Sequence, residues 1–295
     1  MLNGGNAERQ SWEVCVKATG ERALGRPAGH PRWWRRGGRR RLVIVGAGCL
    51  VLALIVIAAV QFVSSQGRPL LVDDFNQPNG LITNEFAYYN QGNPAARTSP
   101  IWIATSGSLF ALDHAGWTGV PDVGVPGPRS VVVNNSSVFR LVTRRGDFQN
   151  VAVSFGLFVQ RFITPQSGAD VSWRGVHVFI RYQSPDLLYV VSVDRWDGQI
   201  VIKKKVPGGQ SAGGTYYTLG TADGTAVSGR WEQVKVSVTN SGANVDLSVW
   251  LDGRLRLRTV DDGVGDVAPI AQGGRVGLRG DYTEFMFRPF TVTNS

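Results

Sequence analysis

Four side chains whose chemistry suits ligand binding fall on one face of a predicted strand. The stretch "WRGVHVFIRYQ", residues 173–183, has the alternation of a β-strand with one buried face. The predicted core face consists of Val176, Val178, Ile180 and Tyr182. The opposite face consists of Trp173, His177, Phe179 and Arg181. An aromatic ring stacks on the C–H groups of a sugar while imidazole and guanidinium groups bind its oxygens, so this face is a candidate sugar site. The alternative is an ordinary sheet surface with Phe179 covered by a loop.

The next predicted hairpin adds polar side chains to this face. A two-residue turn at 197–198 would carry Asp194 and Lys203 to the outer side of the sheet. With Lys205, they would form a net basic floor that suits an acidic glycan. The run 203–205 has a second interpretation, a charged edge strand that prevents association between sheets.

Short strands separated by turn residues must position these side chains. From Leu70 onward at least ten strand-like segments follow one another with Gly, Pro, Asn and Asp between them, and no amphipathic helix of useful length occurs. The clearest is the ribbon "RWEQVKVSVTNSGANVDLSVWLDGRLRLRTV", residues 230–260, where apolar and polar residues alternate. This pattern predicts an all-β fold with two antiparallel sheets packed as a sandwich.

The turn inside the ribbon determines which residues of its second and third strands lie opposite each other. A three-residue loop of Leu251, Asp252 and Gly253 would place Val249 opposite Leu255 and keep the apolar residues of both strands on one face. A two-residue Asp-Gly loop would place Leu251 against an arginine. We therefore predict the three-residue loop.

The ribbon resembles the laminin G-like and concanavalin A-like jelly-roll family. The resemblance is carried by "GRWEQVKVSV…VDLSVWLDGRL", in which a tryptophan precedes an alternating valine strand and a second strand ends in Asp-Gly. The segments "LLVDDFN" and "GRVGLRGDYTEFMFRPFTV" are similar to the family's paired first and last strands, so the resemblance spans 70–295. It implies a sandwich with one concave sheet whose outward face binds carbohydrate, and hence a lectin-like glycan-binding module.

Enzymatic activity on the same fold is the principal alternative. Glycosidases of the family carry Glu-x-Asp-x-x-Glu on one strand. Residues 70–295 contain three glutamates outside that pattern, Glu85, Glu232 and Glu284. Polysaccharide lyases with this fold would use residues such as His177, Arg181 and Tyr189, but their longer motifs are absent. A further alternative is a cell-envelope protein-interaction module that uses Trp102, Trp117 and the loop 116–130.

The resemblance also implies a calcium site, because many relatives bind a structural Ca²⁺ near the first and last strands. Hard carboxylate oxygens suit this ion. The candidate ligands are Asp73, Asp74, Asp281 and Glu284. The alternative is that Asp73 and Asp74 cap a strand entry while Asp281 lies in a turn.

The N-terminal part of the chain predicts a membrane anchor. Residues 1–41 form a basic tail that we expect to be cytoplasmic and disordered, with ten Lys and Arg against three Glu. The apolar run "LVIVGAGCLVLALIVIAAV" then opens a predicted transmembrane signal-anchor helix, 42–63, which is followed by a linker, 64–69, and the extracytoplasmic domain, 70–295. The segment "VSSQ" after Phe62 leaves cleavage open.

The positions of the charged residues and of the cysteines indicate what the chain contacts and how its exported domain is stabilised. The formal net charge is +9, of which residues 1–41 supply +7, so the basicity indicates contact with the lipid bilayer rather than nucleic acid. Both cysteines, Cys15 and Cys49, precede the exported domain, so no disulfide can stabilise that domain and its core must do so.

Overall fold

The computed structural model describes residues 68–121, 134–135, 137–164, 171–211, 213–264 and 266–295. The predicted tail, 1–41, the predicted membrane helix, 42–63, and most of the linker lie outside these ranges. Within them, no helix is long and apolar enough to cross a membrane. Helix α1 (Phe86–Tyr89) is a single turn.

Eighteen strands occur in the described residues. The first nine are β1 (Leu71–Asp73), β2 (Gly80–Asn84), β3 (Trp102–Ser106), β4 (Ser108–Leu112), β5 (Ala115–Trp117), β6 (Val120–Pro121), β7 (Asn134–Asn135), β8 (Val138–Thr143) and β9 (Val151–Phe162). The second nine are β10 (Gly175–Ser184), β11 (Leu187–Arg195), β12 (Gln199–Ser211), β13 (Gly214–Asp223), β14 (Trp231–Ser241), β15 (Asn244–Leu251), β16 (Arg254–Asp261), β17 (Arg275–Asp281) and β18 (Thr283–Asn294).

These strands build two antiparallel sheets that pack face to face. The nine-stranded sheet has the order β16-β15-β14-β9-β18-β5-β4-β2, with β1 also on β18. The seven-stranded sheet has the order β13-β12-β11-β10-β17-β8-β3, and β6 and β7 form a separate parallel pair. The first and last strands pair, as the family resemblance implies, and Leu71 lies opposite Val292. The all-β sandwich is confirmed.

The core lies between the two sheets and is built from the inward faces of alternating strands. On β14 and β15 the fully buried positions are Val234, Val236, Val238, Val245, Leu247 and Val249. Fully burying a side chain of this size stabilises the fold by about 1.5–3 kcal/mol. Aromatic rings fill the centre, where Trp102 and Phe290 meet edge to face with centroids 4.9 Å apart. The alternation of the ribbon therefore predicts its buried face correctly.

The predicted turn between β15 and β16 is wrong. Leu251 pairs with Arg254 across a two-residue Asp252-Gly253 turn, and both turn residues have positive φ, 49° and 75°. A bulge follows in β16, because Val249 lies opposite Leu257 whereas Trp250 lies opposite Leu255. The bulge restores the apolar register that a two-residue turn alone would break.

Candidate functional site

A cavity of about 610 Å³ lies on the outer face of the seven-stranded sheet, the face turned away from the nine-stranded sheet. Side chains of its strands form the floor. The rim includes Tyr88 from α1, Trp173 ahead of β10, Pro185 in the β10–β11 hairpin and Ser211 at the end of β12. The alternation of the strands therefore lines this cavity with every second side chain.

The middle of the floor is apolar and aromatic. It consists of Phe179, Tyr182, Leu188 and Val190, which form with Val142 a buried cluster separate from the core between the sheets. The rings of Phe179 and Tyr182 stack at 5.7 Å with an interplanar angle of 30°. Burial raises the pKa of Tyr182 to about 12, so its hydroxyl stays neutral at physiological pH. A flat apolar floor of this kind fits the C–H face of a ring ligand.

A polar row crosses four strands beside this floor. Arg140 of β8 lies opposite Arg279 of β17, Arg279 lies opposite His177 of β10, and His177 lies opposite Ser192 of β11. All four side chains line the cavity. We call this set, Arg140, Arg279, His177 and Ser192, the polar row.

Asp281 contacts both Arg279 and His177 at the centre of the polar row. Arg279 Nε lies 2.9 and 2.8 Å from its two carboxylate oxygens, and His177 Nε2 lies 3.0 Å from Oδ2. Burial raises the pKa of Asp281, but Arg279 and His177 outweigh it and bring the pKa down to about 2. Burial lowers the pKa of His177, so its imidazole is neutral at physiological pH.

The tautomer of His177 follows from these contacts. An ionised carboxylate can only accept, so the imidazole proton lies on Nε2, next to Asp281. Nδ1 then accepts a hydrogen bond from the Ser192 hydroxyl at 2.8 Å. The histidine therefore presents no free nitrogen lone pair to the cavity and holds the row together.

The cavity carries a net positive charge. Its described lining contains five basic side chains and one carboxylate, that of Asp281. The basic side chains are Arg140, Arg195, Lys203, Lys205 and Arg279. Burial lowers the pKa of Lys203 and of Lys205, and both ammonium groups lie near the Tyr216 ring, at 5.8 and 5.1 Å from its centroid. A site with this balance attracts an anionic ligand.

The structure brings four of the six predicted glycan-site residues together. Trp173, His177, Phe179 and Lys203 all line the cavity. Trp173 is 39% exposed and stands on the rim, whereas His177 and Phe179 are buried in the floor. The strand alternation that selected these residues holds over Val176, Val178 and Ile180, which pack into the core as predicted.

The predicted position of Arg181 is wrong. Between Phe179 and Tyr182, β10 has one more residue than its partner β17, and Arg181 takes a positive φ of 49°. This bulge turns Tyr182 onto the cavity floor and directs Arg181 away from it. The guanidinium is fully buried and donates to the carbonyl oxygens of Gln149 and Ile270.

The predicted position of Asp194 is also wrong. On β11 an extra residue separates Ser192, which faces His177, from Asp194, which faces the core residue Val176. Asp194 is therefore buried behind the sheet, where its Oδ1 accepts a hydrogen bond from Val227 N at 3.0 Å. Burial raises its pKa to about 7. The neighbouring run 203–205 is not an edge strand, since β13 lies beyond β12.

The four predicted calcium ligands are not brought together. Asp73 accepts from Trp102 Nε1 at 2.6 Å, Asp74 accepts from Asn76, and Glu284 pairs with Arg161 at 2.6 Å. Asp73 lies opposite Phe290, six residues along β18 from Glu284, which is about 20 Å at 3.3 Å per residue. The described residues contain no group of three or more His, Cys, Asp or Glu side chains that could hold a metal ion.

Several residues of the two alternative functions lie away from the cavity. Tyr189, a member of the predicted lyase set, is buried in the core and donates to Asp261 Oδ2 at 2.6 Å. Trp102, predicted as part of a protein-contact surface, is fully buried in the core. Trp117 is partly buried and donates to Gln160 and Glu284, and most of the loop 116–130 lies outside the described residues.

Sequence reasoning missed Arg140 and Arg279. Both occupy polar positions of strand-like segments, "VFRLVTR" and "GRVGLRG", so their outward direction follows from the alternation. The sequence does not predict that Arg140 and Arg279 face each other, because β8 and β17 are far apart along the chain. No local signal reports such a pairing.

The fold and the site define a class: a two-sheet jelly-roll sandwich with a ligand-sized cavity on the outside of one sheet. No family model and no curated protein matches the chain. Among solved structures, it is similar to a Bacillus subtilis protein of unknown function with a galectin-like fold, at 11% identity and a TM-score of 0.50, covering 78% of this chain and 97% of that one. This likeness shows the fold.

Two further solved structures have lower scores. One is the carbohydrate binding module CBM66 from Bacillus subtilis, at 12% identity and a TM-score of 0.43, covering 65% of this chain and 94% of that one. The other is SCLam, a non-specific endo-beta-1,3(4)-glucanase from family GH16, at 12% identity and a TM-score of 0.47, covering 77% of this chain and 91% of that one.

Proposed function

We propose that residues 70–295 form a lectin-like carbohydrate-binding module that acts outside the cytoplasm. The observation that carries this proposal is the outer-face cavity, whose apolar and aromatic floor is bordered by hydrogen-bonding side chains. Its volume of about 610 Å³ falls within the range of small-molecule sites, about 300–1,000 Å³. A sugar presents an apolar ring face and a polar edge, and this cavity offers both in adjacent rows.

Binding is a better account of the site than glycosidase or lyase chemistry. A glycosidase needs two carboxyl groups flanking one bond, and the described cavity lining contains one carboxylate, which Arg279 holds. A lyase would need its acid–base groups around the substrate, whereas Arg181 and Tyr189 lie behind the sheet. His177 contacts both Ser192 and Asp281, so it is engaged in holding the polar row.

A glycan array tests the proposal with one matched pair of variants. The full-length chain, purified in a mild non-ionic detergent, is screened against neutral and acidic polysaccharides. Trp173→Ala should weaken the binding of retained glycans about tenfold, because it removes a stacking surface on the rim. Trp231→Ala is the control, since Trp231 is equally exposed, at 37% against 39%, but lies on the nine-stranded sheet.

The outcomes separate the competing functions. Retention of a glycan that Trp173→Ala loses and Trp231→Ala keeps supports the module. Steady loss of a bound uronate polymer would favour the lyase. A folded chain that retains no glycan would overturn the proposal in favour of an envelope protein-interaction module.

We further propose that segment 42–63 anchors the module in the membrane with residues 1–41 in the cytoplasm. The charge-free run of nineteen residues from Leu42 to Val60 and the basic residues before it support this orientation. Replacing Arg40 and Arg41 with glutamate should increase the share of chains in the inverted orientation in a protease-protection assay. An unchanged protection pattern would count against the charge argument.

A further inference from the structure

Two arginines stand directly opposite each other on neighbouring strands of the cavity floor. Arg140 on β8 and Arg279 on β17 are Cα partners, and both line the cavity. Directly opposite residues of antiparallel strands have Cβ atoms about 4.5–5.5 Å apart, and like charges in such pairs destabilise a sheet. A fold that keeps this pair has two guanidinium groups converging on one region of the cavity.

The two arginines differ in the hydrogen-bond partners of their side chains. Arg279 holds both carboxylate oxygens of Asp281. Arg140 is half-buried, and the contacts among described residues give its side chain no hydrogen bond or ion pair. Its guanidinium carries five N–H donors in a rigid planar fork. Burial, and then the positive charge of Arg279, lower the pKa of Arg140, and the nearby Asp281 carboxylate offsets this only in part.

The strand row next to this pair contains a glycine. In the adjacent row, Gly277 lies between Val142 and Phe179 and carries no side chain. Residue 277 is a glycine because the backbone of β8 lies close to it. A Cβ at this position would be 2.0 Å from the Leu141 carbonyl oxygen. Phe179, Tyr182 and the two arginines line the same cavity, so a ring seated on the two aromatic side chains shares that cavity with both guanidinium groups.

We infer that Arg140 and Arg279 form an oxyanion subsite, which binds a carboxylate or sulfate substituent of a sugar whose ring rests on the apolar floor. This inference rests on the proposed carbohydrate-binding function and names the class of glycan. The planar guanidinium of Arg140 can bind two oxygens at once. Arg279, whose side chain is held in place by Asp281, adds its charge. Lys203 and Lys205, gathered around Tyr216 on the far side of the floor, add attraction without that geometry.

The test compares polymers that differ only in charge. Polygalacturonate is compared with its methyl ester, which removes the carboxylate charge and keeps the sugar ring, and dextran sulfate is compared with dextran. Affinities of the detergent-solubilised full-length chain are measured by calorimetry at fixed salt, because charge-driven binding falls as salt rises. We expect at least tenfold tighter binding to one acidic polymer than to its neutral form.

Arg140→Gln should weaken binding to that acidic polymer at least tenfold and leave affinity for the neutral form within twofold. Arg254→Gln, an exposed arginine of β16 on the other sheet, makes the same change in net charge and should alter neither affinity by more than twofold. Arg140→Lys keeps the charge but loses the planar fork, and should fall between wild type and Arg140→Gln. If Arg140→Gln fails to fold, the lysine variant and the paired polymers still decide the question.

The outcomes distinguish this inference from the function on which it rests. Equal affinity for acidic and neutral forms would overturn the oxyanion subsite and leave carbohydrate binding intact. An equal loss in Arg254→Gln would also overturn it, since general charge would then suffice. Preference for dextran sulfate over polygalacturonate would identify the substituent as a sulfate ester. Retention of no polysaccharide at all would overturn both.

Discussion

Basic side chains are buried in two regions of this molecule, and they are satisfied in different ways. At the end of the core, Lys204 is fully buried, and its ammonium contacts Asp261 at 3.0 Å and donates to the carbonyl oxygens of Val267 and Ala268 at 2.7 and 2.8 Å. Its three N–H donors thus have three acceptors within the protein. In the outer-face cavity, Arg140 makes no side-chain hydrogen bond or ion pair with the residues that the structure describes.

The difference separates structural cations from ligand-binding ones. Lys203, Lys204 and Lys205 are consecutive on β12, and the alternation sends the middle one into the core and the outer two into the cavity. A buried ionic group that the protein satisfies contributes to the fold and is costly to break. In the cavity, Lys205 donates to the Pro185 carbonyl oxygen at 2.8 Å, whereas Arg140 makes no ion pair with a described residue and is the cation available for an external anion.

The largest expected effect comes from breaking the structural group. Lys204→Met would leave Asp261 as a buried carboxylate without its cation and two carbonyl oxygens without a donor. We expect the free energy of unfolding to fall by about 3–5 kcal/mol. Urea unfolding monitored by tryptophan fluorescence measures it.

The adjacent lysine provides the control for that measurement. Lys203→Met makes the same substitution one residue away, in the cavity, where we expect a change below about 1 kcal/mol. Similar losses in the two variants would show that the distinction between the regions is false.

Sequence alone predicts the strands and their faces well wherever the alternation is unbroken. The buried sets on β14 and β15, and Val176, Val178 and Ile180 on β10, follow from period two and from the need of one face to leave water. The predictions fail where a strand has an extra residue. At Arg181 a non-glycine residue takes a left-handed conformation, for which the sequence carries no Gly or Asn signal.

The candidate site was predictable only in part for the same reason. Trp173, His177, Phe179 and Lys203 lie near one another along three consecutive elements, so local alternation gathers them correctly. Arg140 and Arg279 join them only through the pairing of β8 with β17, which depends on the global strand order. Local pattern therefore predicts which way a side chain points, and only topology decides which side chains meet.

The second largest effect should come from Arg181, whose guanidinium makes four hydrogen bonds inside the protein. Arg181→Met would leave the Gln149 and Ile270 carbonyl oxygens without their donor, which should cost about 2–3 kcal/mol of unfolding free energy. Glycan affinity of the folded variant should match wild type, because the side chain lies outside the cavity. A tenfold loss of affinity with unchanged stability would return Arg181 to the binding site.

Asp194 adds a buried carboxyl group to the comparison. Its pKa of about 7, raised by burial, lies above the value of about 3.9 in an unfolded chain. The folded state then binds more protons than the unfolded state between pH 4 and 7, so ionisation of Asp194 lowers stability as pH rises through this window, by about 1 kcal/mol per pH unit.

Asp194→Asn isolates this contribution. His177 acts in the opposite direction, because burial lowers its pKa and its charging favours unfolding at low pH. The quantity to measure is therefore the difference in unfolding free energy between variant and wild type at pH 5 and pH 7. The variant should gain about 2 kcal/mol relative to wild type over that interval. A difference that does not change with pH would mean that Asp194 is ionised at pH 5.

The smallest expected effect on stability is at Arg140. A small effect there would distinguish this cavity cation from the structural cation Lys204. Arg140→Gln removes a cation that faces another cation across the strand pair and makes no ion pair with a described residue. The unfolding free energy should therefore stay within about 0.5 kcal/mol of wild type or rise slightly. A loss of 2 kcal/mol or more would show that the protein itself satisfies Arg140. In that case the cavity would hold no spare cation, and its basic side chains would be structural in the way that Lys204 is.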